Sequence, residues 1–232
     1  MTSPLSDSRP TRPAAVLFDM DGTLVDTERL WWQAAAEVAD GLGHRLGDAD
    51  LPDVLGRPIG HTAAHLRRVT STDRTAAQVG AALEDAFGGR ITAHVHPRPG
   101  VLRLLAELRD ARIPTAVVSA SPRRIVDLVL QALGPQWFAV TVAAEDTPVT
   151  KPAPDPYLAA AAKLGAEPAR CVAVEDSPIG VASARAAGCP VLAVPSTVPI
   201  DPSPGVTVRT GLAEVDLAIL GALLTPDAGA RS

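Results

Sequence analysis

Four groups of polar residues stand at the ends of apolar runs or in the loops that follow them, and their types suit phosphoryl transfer. The groups are Asp19 with Asp21, Ser119, Lys151, and Glu175 with Asp176. An aspartate can attack phosphorus as a nucleophile, and a second carboxyl group two residues on can protonate the leaving oxygen. A serine hydroxyl can bind a phosphoryl oxygen, and a lysine can neutralise its developing charge. Each residue alone fits an ordinary turn, so the hypothesis requires that all four groups converge.

The apolar runs before these residues have the character of buried parallel strands. Five runs and a shorter sixth occupy residues 14–18, 114–118, 138–142, 171–174, 190–194 and 206–208. Helical patterns alternate with the runs from residue 97 onward, with predicted starts at Val101, Ser121–Pro122, Asp155 and Ser177–Pro178. This alternation predicts an α/β fold with a right-handed, doubly wound parallel sheet. Ligands bind at the carboxyl ends of the strands in such sheets, where the candidate residues would meet.

The segment between the first two strands predicts a separate subdomain. Residues 27–96 contain helical patterns and no strong strand pattern. A structureless loop of that length is implausible, so we expect an inserted α-helical cap over residues 27–96. The core is then discontinuous and comprises residues 13–26 and 97–225. Residues 1–12 and 226–232 are expected to be disordered tails.

Charge, cysteine content and hydropathy narrow the possible partners and the cellular location of the protein. The chain has 21 basic and 26 acidic residues, a net charge of −5, which disfavours nucleic acid or an anionic membrane as the main partner. Two cysteines exclude a disulfide scaffold and favour a reducing compartment. No apolar run reaches the ~18 residues of a membrane span, and the first residues lack a signal-peptide pattern. We therefore expect a cytoplasmic protein.

The motifs around the polar residues resemble a known family. Residues 19–23, Asp-Met-Asp-Gly-Thr, match the DxDGT signature of the haloacid dehalogenase-like (HAD) hydrolase superfamily. Residues 117–121, 151–157 and 174–181 resemble its second, third and fourth motifs, in family order and at similar spacing. The resemblance implies a Rossmann-like HAD core. It also implies the small helical cap of the branch that includes sugar-phosphate phosphatases and β-phosphoglucomutases.

The resemblance also implies catalytic roles. Asp19 would form an aspartyl-phosphate, while Asp21 would act first as an acid and then as a base. Ser119, Ala120 and Lys151 would bind the phosphate group. The rarity of lysine supports a specific role for Lys151, because the chain contains only one other, Lys163, against many arginines.

A divalent cation would offset the repulsion between several carboxylates and a phosphate group, and Mg²⁺ prefers oxygen ligands. By resemblance, Mg²⁺ would bind the Asp19 carboxylate, the backbone carbonyl of Asp21 and the Asp176 carboxylate. Glu175 is either a further ligand or a neighbour of the ligands, and the sequence leaves both possibilities open.

The cap residues are less informative. Solvated, substrate-facing and transition-metal-binding roles all stay open for the five histidines, which are His44, His61, His65, His94 and His96. Trp31 and Trp32 favour the core of the cap over a stacking platform. Arg57 lies where such caps often present a specificity loop, and it and Glu28 are candidate substrate contacts.

Several residues differ from those typical of other activities in the superfamily, and these differences favour one reaction. Asp21 disfavours a dehalogenase, and the absence of lysine from the cap disfavours phosphonate hydrolysis through a cap lysine. Trp31 and Ile59 stand where β-phosphoglucomutases usually have His and Arg, whereas residues 28–31 and 51–56 resemble hexitol and 2-deoxyglucose-6-phosphate phosphatases. We predict a Mg²⁺-dependent phosphatase for small sugar or polyol phosphate esters, as a monomer or weak homodimer. The alternatives are a β-phosphoglucomutase-like phosphotransferase and a catalytically silent HAD-fold interaction protein.

Overall fold

The computed structural model describes residues 12–224 of the chain. The described part contains six strands: β1 (Ala15–Phe18), β2 (Thr115–Val118), β3 (Val140–Val142), β4 (Cys171–Glu175), β5 (Val191–Ala193) and β6 (Val206–Val208). It also contains nine α-helices: α1 (Glu28–Gly41), α2 (Leu51–Val54), α3 (Ile59–Thr70), α4 (Ala76–His94), α5 (Val101–Asp110), α6 (Arg123–Leu133), α7 (Asp155–Lys163), α8 (Pro178–Ala186) and α9 (Leu217–Ala222). Among the described residues, no helix has both the length and the apolar character needed to cross a membrane. The predicted tails, residues 1–12 and 226–232, lie outside the described residues apart from residue 12.

Strand β1 lies inside a six-stranded sheet with the order β3-β2-β1-β4-β5-β6, in which all neighbouring strands are parallel. The predicted doubly wound α/β fold is therefore confirmed. Phe18 at the end of β1 is level with Val117 of β2 on one side and Val174 of β4 on the other. The loops that follow these three strands leave the sheet side by side, so three distant motifs reach one edge.

The two faces of the sheet pack against different side chains. Val16 and Phe18 belong to a cluster with many large apolar residues, whereas Ala15 and Leu17 belong to a second cluster rich in alanine. This division follows from the alternation of side chains along a strand. Small side chains allow α7 to approach the sheet closely, and α7 contacts β1, β2 and β3. Because α7 follows the loop that contains Lys151, its packing holds that loop near the strand ends.

The cap segment, residues 27–96, forms helices and no strand. Helices α1 and α3 both pack against α4. Trp31 of α1 is buried and meets Phe87 edge-on, with ring centroids 5.2 Å apart. Its indole N–H donates a 2.7 Å hydrogen bond to the carbonyl oxygen of Val54. Trp31 is thus a core residue of the cap, as predicted, while the exact domain boundaries stay a prediction.

Of two predicted helix starts, one was confirmed and the other was wrong by one residue. Ser177 is the N-cap of α8, and its hydroxyl accepts a 3.1 Å hydrogen bond from the N–H of Gly180, as predicted. The Ser121–Pro122 start was wrong by one residue, because Pro122 has an extended backbone and is itself the N-cap of α6. The Ser121 hydroxyl instead donates to a carboxylate of the first motif.

Candidate active site

Asp19 directly follows β1 and is buried, with its backbone N–H bonded to the carbonyl of Val174 in β4. The chain then turns at Gly22, whose φ of +84° lies in the left-handed region that favours glycine. A Cβ at Gly22 would overlap the Asp176 carboxylate and crowd the Ser196 hydroxyl. Glycine here therefore permits the first and fourth motifs to pack against each other.

Lys151 joins the third motif to this pair. Its ammonium group lies 2.7 Å from Asp19 Oδ1 and 2.6 Å from Glu175 Oε1, and its side chain is only 4% exposed. The loop is held from behind by Ser183 of α8, whose hydroxyl donates to the carbonyl of Ala153 at 2.6 Å. Three motifs thus meet in one buried ion cluster.

The second motif reaches the site through Asp21. Thr27 Oγ1 donates to Asp21 Oδ1 at 2.7 Å, and Ser121 Oγ donates to Asp21 Oδ2 at 2.7 Å. Ser119 Oγ lies 3.4 Å from the same Oδ2 atom and accepts the Ser121 N–H at 3.0 Å. Both oxygens of Asp21 are therefore held by hydroxyl groups from the cap hinge and from the loop after β2.

Burial and neighbouring charges shift the pKa values of several groups in this cluster. Burial raises the pKa of Asp19 well above its ordinary value, and the charges of Glu175 and Asp176 add to the rise, while Lys151 opposes it. Burial also raises the pKa of Asp176 to about 7, against the hydrogen bond that Ser196 donates. Although burial lowers it, the pKa of Lys151 ends above its ordinary value because Asp19 and Glu175 attract its charge.

The acidic groups fit a divalent cation. Asp19, Glu175 and Asp176 each offer one oxygen within 4.8 Å of the others, the only such group found in residues 12–224. Asp19 Oδ2 is buried and has no hydrogen-bond partner. No described residue donates a hydrogen bond to the backbone oxygen of Asp21. An all-oxygen donor set of this kind suits Mg²⁺.

Other predicted residues stand apart from the cluster. Ala120 is exposed in the loop after Ser119, and its backbone N–H has no partner within the described part of the chain, which leaves it available to an anion. Glu28 is half-buried in the first turn of α1, next to Thr27. The exposed Arg57 bonds through Nε to the carbonyl of Pro52 at 2.8 Å, within the cap. The structure does not bring Arg57 or Glu28 into contact with the ion cluster.

Four polar contacts of the site were not predicted from the sequence. Thr27, Ser121 and Tyr157 lie inside or beside the motif segments, but their partners lie far away in the chain. Ser196 follows β5, so the rule that ligands bind at strand ends would have found it.

Three of the five cap histidines pair with aspartates. His65 Nε2 lies 2.7 Å from Asp50 Oδ1, and His44 Nε2 lies 3.3 Å from both oxygens of Asp50. His61 Nε2 lies 2.8 Å from Asp53 Oδ1. Since none of the five belongs to a metal-binding group in the described part of the chain, these pairs stabilise the cap and do not support a transition-metal site.

Asp50→Asn is expected to lower the free energy of unfolding by about 1–3 kcal/mol, because a buried carboxylate with several donors becomes an amide with one acceptor oxygen. Urea denaturation at neutral pH measures the change. Asp48→Asn is the matched control, because Asp48 is an exposed neighbour with no hydrogen-bond partner for its side chain among the described residues. Equal denaturation midpoints for the two variants would contradict the assigned role of Asp50.

Comparisons with known proteins agree with this geometry. Residues 13–188 match the model of the haloacid dehalogenase-like hydrolase family. The chain is 38% identical to the plasmid-encoded protein CbbY of Cupriavidus necator over 200 residues, which cover 79% of this chain and 78% of that protein. It is 32% identical to hexitol phosphatase B of Escherichia coli over 225 residues, which cover 95% and 98%. The crystal structure of a mutant of CbbY from Rhodobacter sphaeroides in complex with xylulose-(1,5)bisphosphate is similar, with a TM-score of 0.76, 27% identity and coverage of 87% of this chain and 96% of that chain.

Proposed function

The chain belongs to the haloacid dehalogenase-like hydrolase family, and on that premise we propose that it is a Mg²⁺-dependent phosphatase for sugar or polyol phosphates. The observation that carries the proposal is the environment of Asp19. One oxygen is paired with Lys151, and the other is buried without a partner at the end of β1. Lys151 therefore holds this carboxylate in place, while one of its oxygens has no protein partner and is open to a phosphate ester or a cation.

In the first step, Asp19 attacks the phosphorus atom of the bound ester. A bond forms between a carboxylate oxygen and phosphorus, and the bond from phosphorus to the ester oxygen breaks. Asp21 gives its proton to the departing alkoxide, so that an alcohol leaves. Lys151 and the Ser119 hydroxyl lie beside the two carboxylates and stabilise the charge on the phosphoryl oxygens.

In the second step, Asp21 accepts a proton from water, and the hydroxide attacks phosphorus and releases Asp19 as a carboxylate. The hydroxyls of Thr27 and Ser121 both donate to Asp21 in this structure, so both of its carboxylate oxygens act as acceptors. The observed hydrogen bonds therefore suit Asp21 as the base of this step. Thr27 precedes the first cap helix, so a movement of the cap would change these contacts.

Asp19, the backbone carbonyl of Asp21 and Asp176 would hold Mg²⁺ at this edge of the sheet. When bound, Mg²⁺ supplies positive charge that offsets the carboxylates and the phosphoryl group. The Ser196 hydroxyl fixes the orientation of Asp176 by donating to Oδ2.

The proposed substrate class comes from the relatives, which include a hexitol phosphatase and a fructose-1-phosphate phosphatase. Trp31 supports hydrolysis over mutase activity. Trp31 stands where β-phosphoglucomutases usually have His, and its indole is committed to the cap core through Val54 and Phe87. A cytoplasmic location and a monomer or weak homodimer remain predictions.

The test is phosphate release from a panel of esters with Mg²⁺. The panel contains hexitol phosphates, fructose 1-phosphate, xylulose 1,5-bisphosphate, glycerol phosphates and nucleotides. We expect kcat/KM for at least one sugar or polyol ester to exceed that for nucleotides by about tenfold or more. Preference for nucleotides would overturn the substrate class, and no release from any ester would overturn the phosphatase proposal.

A separate assay distinguishes the mutase alternative. A phosphatase releases free phosphate in proportion to the ester consumed. A mutase converts β-glucose 1-phosphate into its 6-phosphate isomer and depends on catalytic amounts of a sugar bisphosphate. Isomer formation without phosphate release would favour the mutase.

A further inference from the structure

Glu175 is fully buried, and all of its acceptor positions are occupied. Oε1 accepts hydrogen bonds from the Lys151 ammonium at 2.6 Å and from the Tyr157 hydroxyl at 2.7 Å. Oε2 accepts from the backbone N–H of Asp176 and from the Ser177 hydroxyl, each at 3.2 Å. Since a carboxylate has about four lone-pair sites, these donors leave none for another partner.

Packing also holds the Glu175 carboxylate in this position. A Cβ at Gly180, in the first turn of α8, would overlap all three terminal atoms of the Glu175 side chain. The carboxylate therefore lies directly on the helix backbone. Asp19, by contrast, has one buried oxygen with no partner. Of the two side chains, Asp19 has an oxygen free for a cation, whereas Glu175 is fully engaged by its donors.

Tyr157 contacts both members of the Lys151–Glu175 ion pair. It is the only tyrosine of the chain and is fully buried in the first turns of α7, six residues after Lys151. Its hydroxyl bonds Glu175, and the Lys151 ammonium lies 5.2 Å from the centre of its ring, within range of a cation–π contact. Burial and the charge of Glu175 raise the pKa of Tyr157, so the hydroxyl keeps the proton that it donates.

We propose that Tyr157 is a positioning residue that acts through Glu175 to hold the Lys151 ammonium against Asp19. In this arrangement Oε1 of Glu175 holds the Lys151 ammonium in place. The proposal rests on the proposed function only for the catalytic role of Lys151. The position of Lys151 does not depend on that function. Without the tyrosine hydroxyl, Oε1 has an unfilled acceptor site, and Glu175 and Lys151 gain freedom to move away from Asp19.

Lysine reactivity tests the position of Lys151 without reference to catalysis. The chain has two lysines, the buried Lys151 and the exposed Lys163, which serves as an internal reference. Brief acetylation by acetic anhydride, followed by mass spectrometry, gives the ratio of the modification rate of Lys151 to that of Lys163. In Tyr157→Phe we expect this ratio to rise about fivefold or more, because the amine is less firmly held. An unchanged ratio would overturn the proposal.

Steady-state kinetics and Mg²⁺ titration test how Tyr157 acts. We expect Tyr157→Phe to lower kcat about tenfold while KM and the Kd for Mg²⁺, measured by calorimetry, change less than about threefold. Loss of a residue that supports a metal ligand typically weakens metal affinity about 10–100-fold. A rise of that size in the Mg²⁺ Kd would show that Tyr157 acts on the metal site and not on Lys151, and a kcat within twofold of wild type would remove the positioning role.

Three further variants complete the experiment. Glu175→Gln should also lower kcat, and adding Tyr157→Phe to it should cause no more than about a twofold further loss, because both act on Lys151 through one contact. Additive losses would contradict this. Thr115→Val removes another buried hydroxyl, which bonds the carbonyl of Trp137 at 2.5 Å, and should leave kcat unchanged. If the wild-type protein released no phosphate, the proposed function would fail, whereas the acetylation and Mg²⁺ measurements would still decide the role of Tyr157.

Discussion

Asp19→Asn is expected to lower phosphate release by a factor on the order of 10⁴ or more, in line with the loss of other nucleophiles. The amide has no negative charge with which to attack phosphorus, and it removes the carboxylate that Lys151 contacts at 2.7 Å. The fold should persist, because burial already disfavours the charged form of Asp19 and the amide has nearly the same shape. Phosphate release and the thermal unfolding midpoint together measure these effects.

Asp40→Asn is the matched control for this substitution. Asp40 is exposed on α1 and makes no side-chain ion pair or hydrogen bond within the described part of the chain, so its variant should turn over at the wild-type rate. Borohydride trapping supplies a direct readout, because reduction of an aspartyl-phosphate converts that residue into homoserine. Turnover by Asp19→Asn at the wild-type rate, or homoserine at another position, would remove Asp19 as the nucleophile.

Removal of divalent cations by EDTA is expected to lower turnover by about 100-fold or more, and added Mg²⁺ should restore it. In the candidate site, the carboxylates of Asp19, Asp21, Glu175 and Asp176 face one ammonium group, that of Lys151. A phosphate ester adds further negative charge, which one lysine cannot offset. We therefore expect the main contribution of the cation to be electrostatic.

Ligand binding supplies a second measurement of the metal site. Mg²⁺ should raise the thermal unfolding midpoint of the chelated protein, since an ion that binds only the folded state stabilises it. Asp176→Asn should remove most of this increase, because it deletes a proposed ligand. Full turnover by protein that metal analysis shows to be free of divalent cations would contradict the requirement for Mg²⁺.

Most of the core was predictable because its strands are buried on both faces. The apolar runs around residues 15–18, 115–118 and 171–175 coincide with strands. Helix starts at Asp155 and Ser177–Pro178 were also predicted closely, since proline and capping residues act locally. The start at Ser121 was not, because the serine hydroxyl bonds a distant carboxylate rather than the helix end.

The candidate site was predictable in its main residues but not in its contacts. The motifs pointed to Asp19, Lys151 and Asp176, and the sheet order explains why they meet. The same motifs left the role of Glu175 open, because a carboxylate beside a cation site can bind either the cation or a neighbouring lysine. The hydroxyl of Tyr157 and the N–H and hydroxyl groups around Glu175 became visible only through the packing of α7 and α8.

The amino-acid sequence alone therefore determined the alternating α/β core, the helical insertion and the chemical type of the residues at the strand ends. These properties depend on hydrophobic periodicity and on turn residues, which act over a few positions of the chain. Only the tertiary structure decided which groups bond each other: Thr27 and Ser121 with Asp21, Ser196 with Asp176, and three of the cap histidines with Asp50 and Asp53. Side-chain hydrogen bonds form only within about 3 Å, and packing brings residues many positions apart to that distance.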